Sequence, residues 1–284
     1  MDKIIGLGTA GCLFADQLAQ YPEYTIYKIN VDARGRDDLA IAKCSDMQNY
    51  EESFDEEAFE IYLRSIKKGD DVVIALGGGE PISGIVLRMM SLIKHAHLNI
   101  VYISPDRNLL SETEKRDDRI AFNVLQEYAR SGVLEKLYLV SLPKVESLMG
   151  EVSIQDYERS MYNLFSYAFN MINYYDHTSP VVSTSFETNA WSRILSFGMS
   201  SLGDDGSLRL FFPVDNKKSI HFYYGVPKEM LDSDGSLMNK IKTHVKKHQT
   251  EDCSTSFSVY PTDFEEIMVL CNVYSDKVQT FPVQ

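Results

Sequence analysis

The sequence predicts an α/β protein with a Rossmann-like, doubly wound parallel sheet, a long central helix and a smaller C-terminal α+β domain. Over the first 150 residues, short apolar runs alternate with helical patterns, which is typical of parallel strands joined by crossover helices. Later in the chain, apolar and polar residues alternate as in antiparallel strands. Glycine clusters follow two of the early strands, where a doubly wound sheet holds its ligand.

Apolar runs and breaker residues divide the chain into elements. The predicted strands of the first region cover 4–7, 25–30, 71–76, 99–103 and 136–141, with helices at 11–20, 56–66, 81–94 and 114–130. Apolar residues three and four apart predict the central helix over 154–175. Strands at 220–224, 254–260 and 267–274 with a helix at 235–248 follow. We therefore expect a nucleotide-binding domain over 1–176 and an α+β domain over 177–284.

The composition indicates which partners to expect and in which compartment the protein acts. The 284 residues include 41 acids and 28 bases, a formal charge of −13, so nucleic acid is not an expected partner. The four cysteines lack C-x-x-C spacing, which predicts neither a zinc site nor disulfides and favours the cytoplasm. We expect no metal site of the protein's own, no signal peptide and no membrane segment.

The first glycine cluster follows the first strand. Gly6, Gly8 and Gly11 enclose Thr9 and Ala10 in a G-x-G-x-x-G pattern that opens a helix, and Asp32 stands at the end of the second strand. This is the fingerprint of dinucleotide binding, so an NAD-dependent enzyme is one interpretation. That interpretation leaves the second glycine cluster without a role, and no compact catalytic constellation follows it in the C-terminal half.

The second cluster is an apolar strand that runs into Gly77, Gly78 and Gly79. Residues without Cβ let backbone N–H groups converge on an anion, and Pro81 starts a helix whose N-terminus would point at it. Glu80 lies inside this cradle, where its charge would repel a polyphosphate. The pattern thus predicts a nucleotide fold with weakened affinity for the phosphates.

Taken in order, these segments resemble the tubulin/FtsZ superfamily along nearly the whole chain. Residues 4–15 are similar to its first phosphate loop, 27–33 to its second loop, and 77–79 to the start of its G-G-G-T-G-T-G signature. The helix at 154–175 resembles its central helix. Residues 191–203 and 220–274 are similar to the segments that follow its catalytic loop. The sequence departs from the signature at Glu80 and Ile82, which replace threonines, and keeps one hydroxyl nearby, that of Ser83.

The resemblance implies further site residues. It places Arg119 and Glu114 near the ribose and base, and Asn163 against the purine ring. In the family, two acids three residues apart enter the next subunit's site and polarise the attacking water. Here Ser185 and Thr188 stand at those positions, and the acid of this segment is the neighbouring Glu187, a weak catalytic candidate.

The resemblance implies a cytoskeletal protein that stacks head to tail into filaments. GTP or GDP would be its ligand, with Mg²⁺ accompanying GTP, and hydrolysis would be slow or absent because a hydroxyl is a poor general base. The alternative is a pseudo-GTPase, a structural or regulatory module without nucleotide. The shortened region between 203 and 220 indicates a divergent relative of the phage or plasmid type, which in a phage would act in the host cytoplasm.

Overall fold

The computed structural model describes residues 2–33, 35, 38–184, 192–203 and 206–282. Its contacts divide into two compact units, Met1–Ser166 and Tyr167–Gln284. The division falls inside the central helix, whereas the predicted domains meet at that helix's end. The assignment of a nucleotide domain and a second domain stays a prediction.

The first unit alternates strands with helices. Its elements are β1 Lys3–Leu7, α1 Gly8–Leu18, β2 Thr25–Asn30, β3 Leu39–Ala40, α2 Met47–Glu52, α3 Glu56–Leu63, β4 Asp71–Gly77, a 3-10 turn Pro81–Ile85, α4 Val86–Leu92, β5 His97–Ser104, a 3-10 turn Arg107–Leu109, α5 Glu112–Arg130, β6 Lys136–Ser141, α6 Leu142–Leu148 and the start of α7 Tyr157–Asp176.

The strands of this unit form a sheet in the order β3-β2-β1-β4-β5-β6, and every pair is parallel. This order is that of a doubly wound Rossmann-like sheet, whose direction of winding reverses between β1 and β4. The predicted fold class is therefore confirmed. Gly6 lies at this junction, paired with Lys28 on one side and Ala75 on the other.

Local sequence explains how several helices begin. Asp46 and Asp55 accept backbone N–H groups at the starts of α2 and α3. Ser111 and Glu114 form a reciprocal capping box at the start of α5. These side chains satisfy N–H groups that have no partner inside the helix.

The region predicted as one helix over 81–94 differs in the structure. It begins with the 3-10 turn, and α4 follows from Val86. The turn passes so close to α2 that a Cβ on Gly84 would overlap the main-chain oxygen of Met47. The sequence analysis missed α2 because it is short and polar, with one buried residue, Tyr50.

The second unit contains the rest of α7 and a mixed sheet. Its further elements are β7 Val182–Ser183, β8 Ile194–Ser200, β9 Arg209–Leu210, β10 Lys217–Pro227, α8 Lys228–Ser233, α9 Leu237–Lys247, β11 Ser254–Thr262 and β12 Met268–Ser275. The strand order is β8-β12-β10-β11-β7, with β9 beside β8. Strands β10 and β11 are parallel because α8 and α9 connect them, and β12 runs antiparallel to β10. The α+β prediction for this region agrees with this arrangement.

All four cysteines are free thiols. Among the described residues, no helix combines the length and apolar character needed to cross a bilayer.

Candidate functional site

The two glycine loops meet where the winding of the parallel sheet reverses. The first leaves β1 and enters α1, and the second leaves β4. A Cβ on Gly11 would overlap the main-chain oxygen of Ala75, and one on Gly6 would lie 2.6 Å from the main-chain oxygen of Gly11. Backbone approaches backbone at these positions, so only glycine fits.

Glu80 lies inside the cradle formed by these loops. One of its carboxylate oxygens accepts the N–H of Thr9 at 2.7 Å, and the other accepts the N–H of Ala10 at 2.9 Å. Both donors belong to the first turn of α1, where N–H groups have no partner within the helix. The carboxylate thus binds where the positive end of the helix favours an anion.

Two glycines, which have no side chain, leave room for this carboxylate. A Cβ on Gly8 would overlap one carboxylate oxygen of Glu80, and a Cβ on Gly77 would overlap the other. Gly8 also has a φ of +74°, a conformation that favours glycine. Both loops therefore contribute space to one carboxyl group.

The turn that follows Glu80 holds the main chain of this residue in place. The main-chain oxygen of Glu80 accepts the N–H of Ser83 at 3.0 Å and its hydroxyl at 2.7 Å. Ser83 is buried, and its hydroxyl bonds inside the turn. Ile82, at one of the signature threonine positions, is buried, and its side chain lies next to Gly8. The hydroxyls that the resemblance would direct at phosphate are thus absent or used within the loop.

Two opposing effects act on the Glu80 carboxyl group. Burial raises its pKa, while the N–H groups of Ala10 and Thr9 lower it, and the net shift is upward. Burial disfavours the charged form, and hydrogen bonds to the oxygens favour it.

A buried ion pair supports the second glycine loop. The N–H of Gly78 donates to Ile103 at 2.8 Å, which holds the loop against β5. Beneath it, the fully buried carboxylate of Asp118 accepts both the Tyr102 hydroxyl and the Arg107 guanidinium. A Cβ on Gly78 would overlap Asp118 and Tyr102. Sequence reasoning missed this cluster because its members come from a strand, a turn and a helix without a recognisable spacing.

Glu114 and Arg119 both lie on α5, and Glu114 lies near the third glycine. Gly79 has a φ of +74°, and a Cβ there would lie 3.4 Å from the main-chain oxygen of Glu114. The Glu114 carboxylate accepts the N–H of Ser111 at 2.8 Å, and its bonds to Ser111 lower its pKa. Arg119 is exposed, and after burial its charge is the next cause that lowers the pKa of Arg107.

A polar cavity of about 620 Å³ lies beside α1 and the first half of α7. Its lining comprises Gln17, Gln20, Val152, Ser153, Asp156, Arg159, Ser160 and Asn163. Asn163 is thus an exposed residue of a concave surface rich in amide and hydroxyl groups. Phe165 is fully buried and stacks on Phe14 with ring centroids 5.7 Å apart, so it belongs to the core.

Four further predicted site residues are not shown to contact the glycine loops or the cavity. Asp32 is exposed in the turn that follows β2. Ser185, Glu187 and Thr188 lie outside the described residues. The structure thus brings together Gly6, Gly8, Thr9, Ala10, Gly11, Gly77 and Glu80, with Gly78, Gly79 and Glu114 alongside.

Sequence comparisons find no relatives, whereas structural ones do. No protein-family model and no curated protein matches the sequence. An empty FtsZ dimer from M. jannaschii is similar over 96% of this chain and 88% of its own, with 12% identity and a TM-score of 0.69. TubZ of Bacillus thuringiensis serovar israelensis, in a GTPγS-form protofilament, matches over 97% and 86% with 14% identity and a TM-score of 0.69.

A third similar structure is that of a CetZ protein. CetZ2 from Haloferax volcanii, a GTPγS-bound protofilament, matches over 96% of this chain and 92% of its own, with 9% identity and a TM-score of 0.63. The resemblance to the superfamily is therefore confirmed at the level of the fold, and the chain has the tubulin/FtsZ fold over nearly its full length.

Proposed function

We propose that the chain is a divergent member of the tubulin/FtsZ superfamily that assembles head to tail into filaments in the cytoplasm. The observation that carries this proposal is the near full-length similarity to TubZ and CetZ2, whose structures are protofilaments. Head-to-tail contacts use two different surfaces of each subunit, so their repetition builds an open polymer.

We further propose that a guanine nucleotide binds weakly at the switch point of the sheet. The cavity that contains Asn163 offers amide and hydroxyl groups for a base, and the glycine loops lie at the carboxyl ends of β1 and β4. Against tight binding, Glu80 brings a carboxylate to the cradle and Ile82 brings a methyl group. Mg²⁺ would enter with GTP.

Hydrolysis is proposed to be slow or absent. Ser185 and Thr188 stand where the family has acids, and Glu187 is displaced by one residue. Loss of a general base commonly lowers a rate by about 10²–10⁴. Filaments would then persist instead of turning over.

Sedimentation and negative-stain microscopy test assembly. The purified chain should sediment as filaments, with GTP changing the critical concentration little and phosphate release remaining slow. Finding monomers at every nucleotide and salt concentration would contradict the proposal. Chromatography of the supernatant after denaturation would show whether a guanine nucleotide travels with the protein.

A second candidate function is a structural or regulatory module that uses no nucleotide. The carboxylate of Glu80 on Thr9 and Ala10 favours it, because the N–H groups that would bind phosphate already have an acceptor. Calorimetric titration separates the two candidates. Micromolar binding of GTP or GDP would exclude the second, whereas filaments without detectable nucleotide binding would support it.

A further inference from the structure

We propose that Glu80 is an internal anion that occupies the phosphate cradle of this chain and competes with free phosphate groups for it. This inference rests on the proposed function, because it takes the cradle to correspond to the phosphate-binding site of the tubulin/FtsZ superfamily. It goes further by assigning Glu80 a role as an intramolecular ligand that competes with any external one.

The hydrogen bonds of Glu80 occupy the donors that a phosphate would use. A phosphate at the start of α1 would bind through the N–H groups of the first helical turn. Those of Thr9 and Ala10 are each bonded to one oxygen of Glu80. An incoming phosphate would therefore have to displace the carboxylate before it could form these bonds.

The Glu80 side chain also fills the space that a phosphate would need. The space that Gly8 and Gly77 leave open is filled by the two carboxylate oxygens. The same loops would need that space to approach a phosphate closely. Ligand and side chain thus compete for one volume.

The loop holds Glu80 in this position. Ser83 bonds its main-chain oxygen twice, and Ile82 packs beside Gly8. The two residues that depart from the family signature, Glu80 and Ile82, therefore act in the same direction. One fills the cradle, and the other supports the loop that carries it.

A consequence concerns the class of ligand that the site accepts. A molecule without a phosphate at this point, such as a nucleoside, could use the cavity of Asn163 without opposing Glu80. A nucleoside triphosphate must bring its charge against a carboxylate that cannot withdraw without breaking two hydrogen bonds. Glu80 thus determines specificity against phosphate.

The test uses inorganic phosphate and the backbone amide resonances of Thr9 and Ala10, recorded on the full chain at pH 8. In Glu80→Ala, phosphate should shift both amides saturably, with a dissociation constant at least about tenfold lower than in the wild-type chain. Glu112→Gln is the matched control, since it removes an equal charge from the exposed start of α5. It should behave as the wild type does.

Two results would overturn the inference. One is saturable phosphate binding at Thr9 and Ala10 in the wild-type chain with the affinity of Glu80→Ala. The other is a folded Glu80→Ala that shows no such shifts. If Glu80→Ala does not fold, the nearly isosteric Glu80→Gln serves instead, because its amide cannot accept both N–H groups, and it should bind phosphate more tightly than the wild type. The measurement is made on monomers, so a failure to form filaments in sedimentation would leave its outcome unaffected.

Discussion

The two glycine loops of the first unit use most of their glycines for different reasons. In the first loop, Gly6 and Gly11 face main-chain oxygens, so they allow β1, α1 and β4 to pack closely, and Gly8 is the one glycine of this loop that faces Glu80. In the second loop, Gly77 faces Glu80, and Gly78 faces Asp118 and Tyr102. These glycines make room for side chains that carry charge or hydrogen bonds.

A glycine that packs against backbone and a glycine that packs against a side chain carry different information about a site. Backbone packing of the first kind depends on the close approach of β1, α1 and β4, whatever the site binds. The second kind depends on particular partners, so it carries the information about chemistry. Substitutions at the two loops should therefore have unlike consequences.

Gly11→Ala should have the largest effect. Its Cβ would overlap a main-chain oxygen of a central strand, which cannot rotate away. We expect a loss of more than about 4 kcal/mol in the free energy of unfolding, measured by denaturant titration, or failure to fold. Gly150→Ala is the control, because nothing lies within 4 Å of its Cβ position. Equal stability of the two variants would contradict the assignment of Gly11 to backbone packing.

Asp118→Asn should have the next largest effect. It removes the carboxylate charge that pairs with the largely buried Arg107 guanidinium beneath the second loop. Removal of one partner from such a pair should lower the free energy of unfolding by about 3 kcal/mol. Glu127→Gln, which breaks an exposed pair with Arg130, should cost less than about 1 kcal/mol. A small loss in Asp118→Asn would mean that this pair does not support the loop.

Gly79→Ala should cost about 1 kcal/mol, because its φ of +74° disfavours a Cβ although the space is nearly sufficient. Gly79→Asn is the variant to compare with Gly79→Ala, since asparagine tolerates a positive φ better than alanine does. Thermal unfolding should rank the wild type first, then asparagine, then alanine. The reverse order of the two variants would show that crowding by Leu110, and not backbone strain, decides the cost.

The smallest effect concerns pH. Because the pKa of Glu80 is raised in the folded protein, the folded state holds this proton more tightly than the unfolded state does. Its contribution to stability is full below the ordinary glutamate pKa, falls as pH rises through the folded pKa, and is constant above it. Melting temperatures of the wild type relative to Glu80→Gln should therefore decline across that interval and then level off. A difference independent of pH would contradict burial of this carboxyl group.

The sequence allowed the fold to be predicted because its strongest signals are local. Strand and helix alternation, glycine after β1 and β4, and the apolar spacing of α7 each depend on residues close together in the chain. The predicted strand at 136–141 coincides with β6, and that at 25–30 coincides with β2. Short polar α2 lacks such a signal and was missed.

The candidate site was harder to predict because its decisive contacts are distant in sequence. Glu80 was expected to lie among the glycines and to repel phosphate, but nothing local in the sequence indicates that its oxygens bond to Thr9 and Ala10. Asp118 was overlooked beside Arg119 for the same reason. A charged residue in a glycine loop is therefore best interpreted together with the helix that the loop faces.

The contacts of Glu80 with Thr9 and Ala10 also have a consequence for folding. They span 71 and 70 positions of the chain, so the loop between α1 and the second glycine loop must close before they form. We therefore expect the first turn of α1 to bond to water or solvent anions in the unfolded chain, and the protein's own carboxylate to replace them when this loop closes.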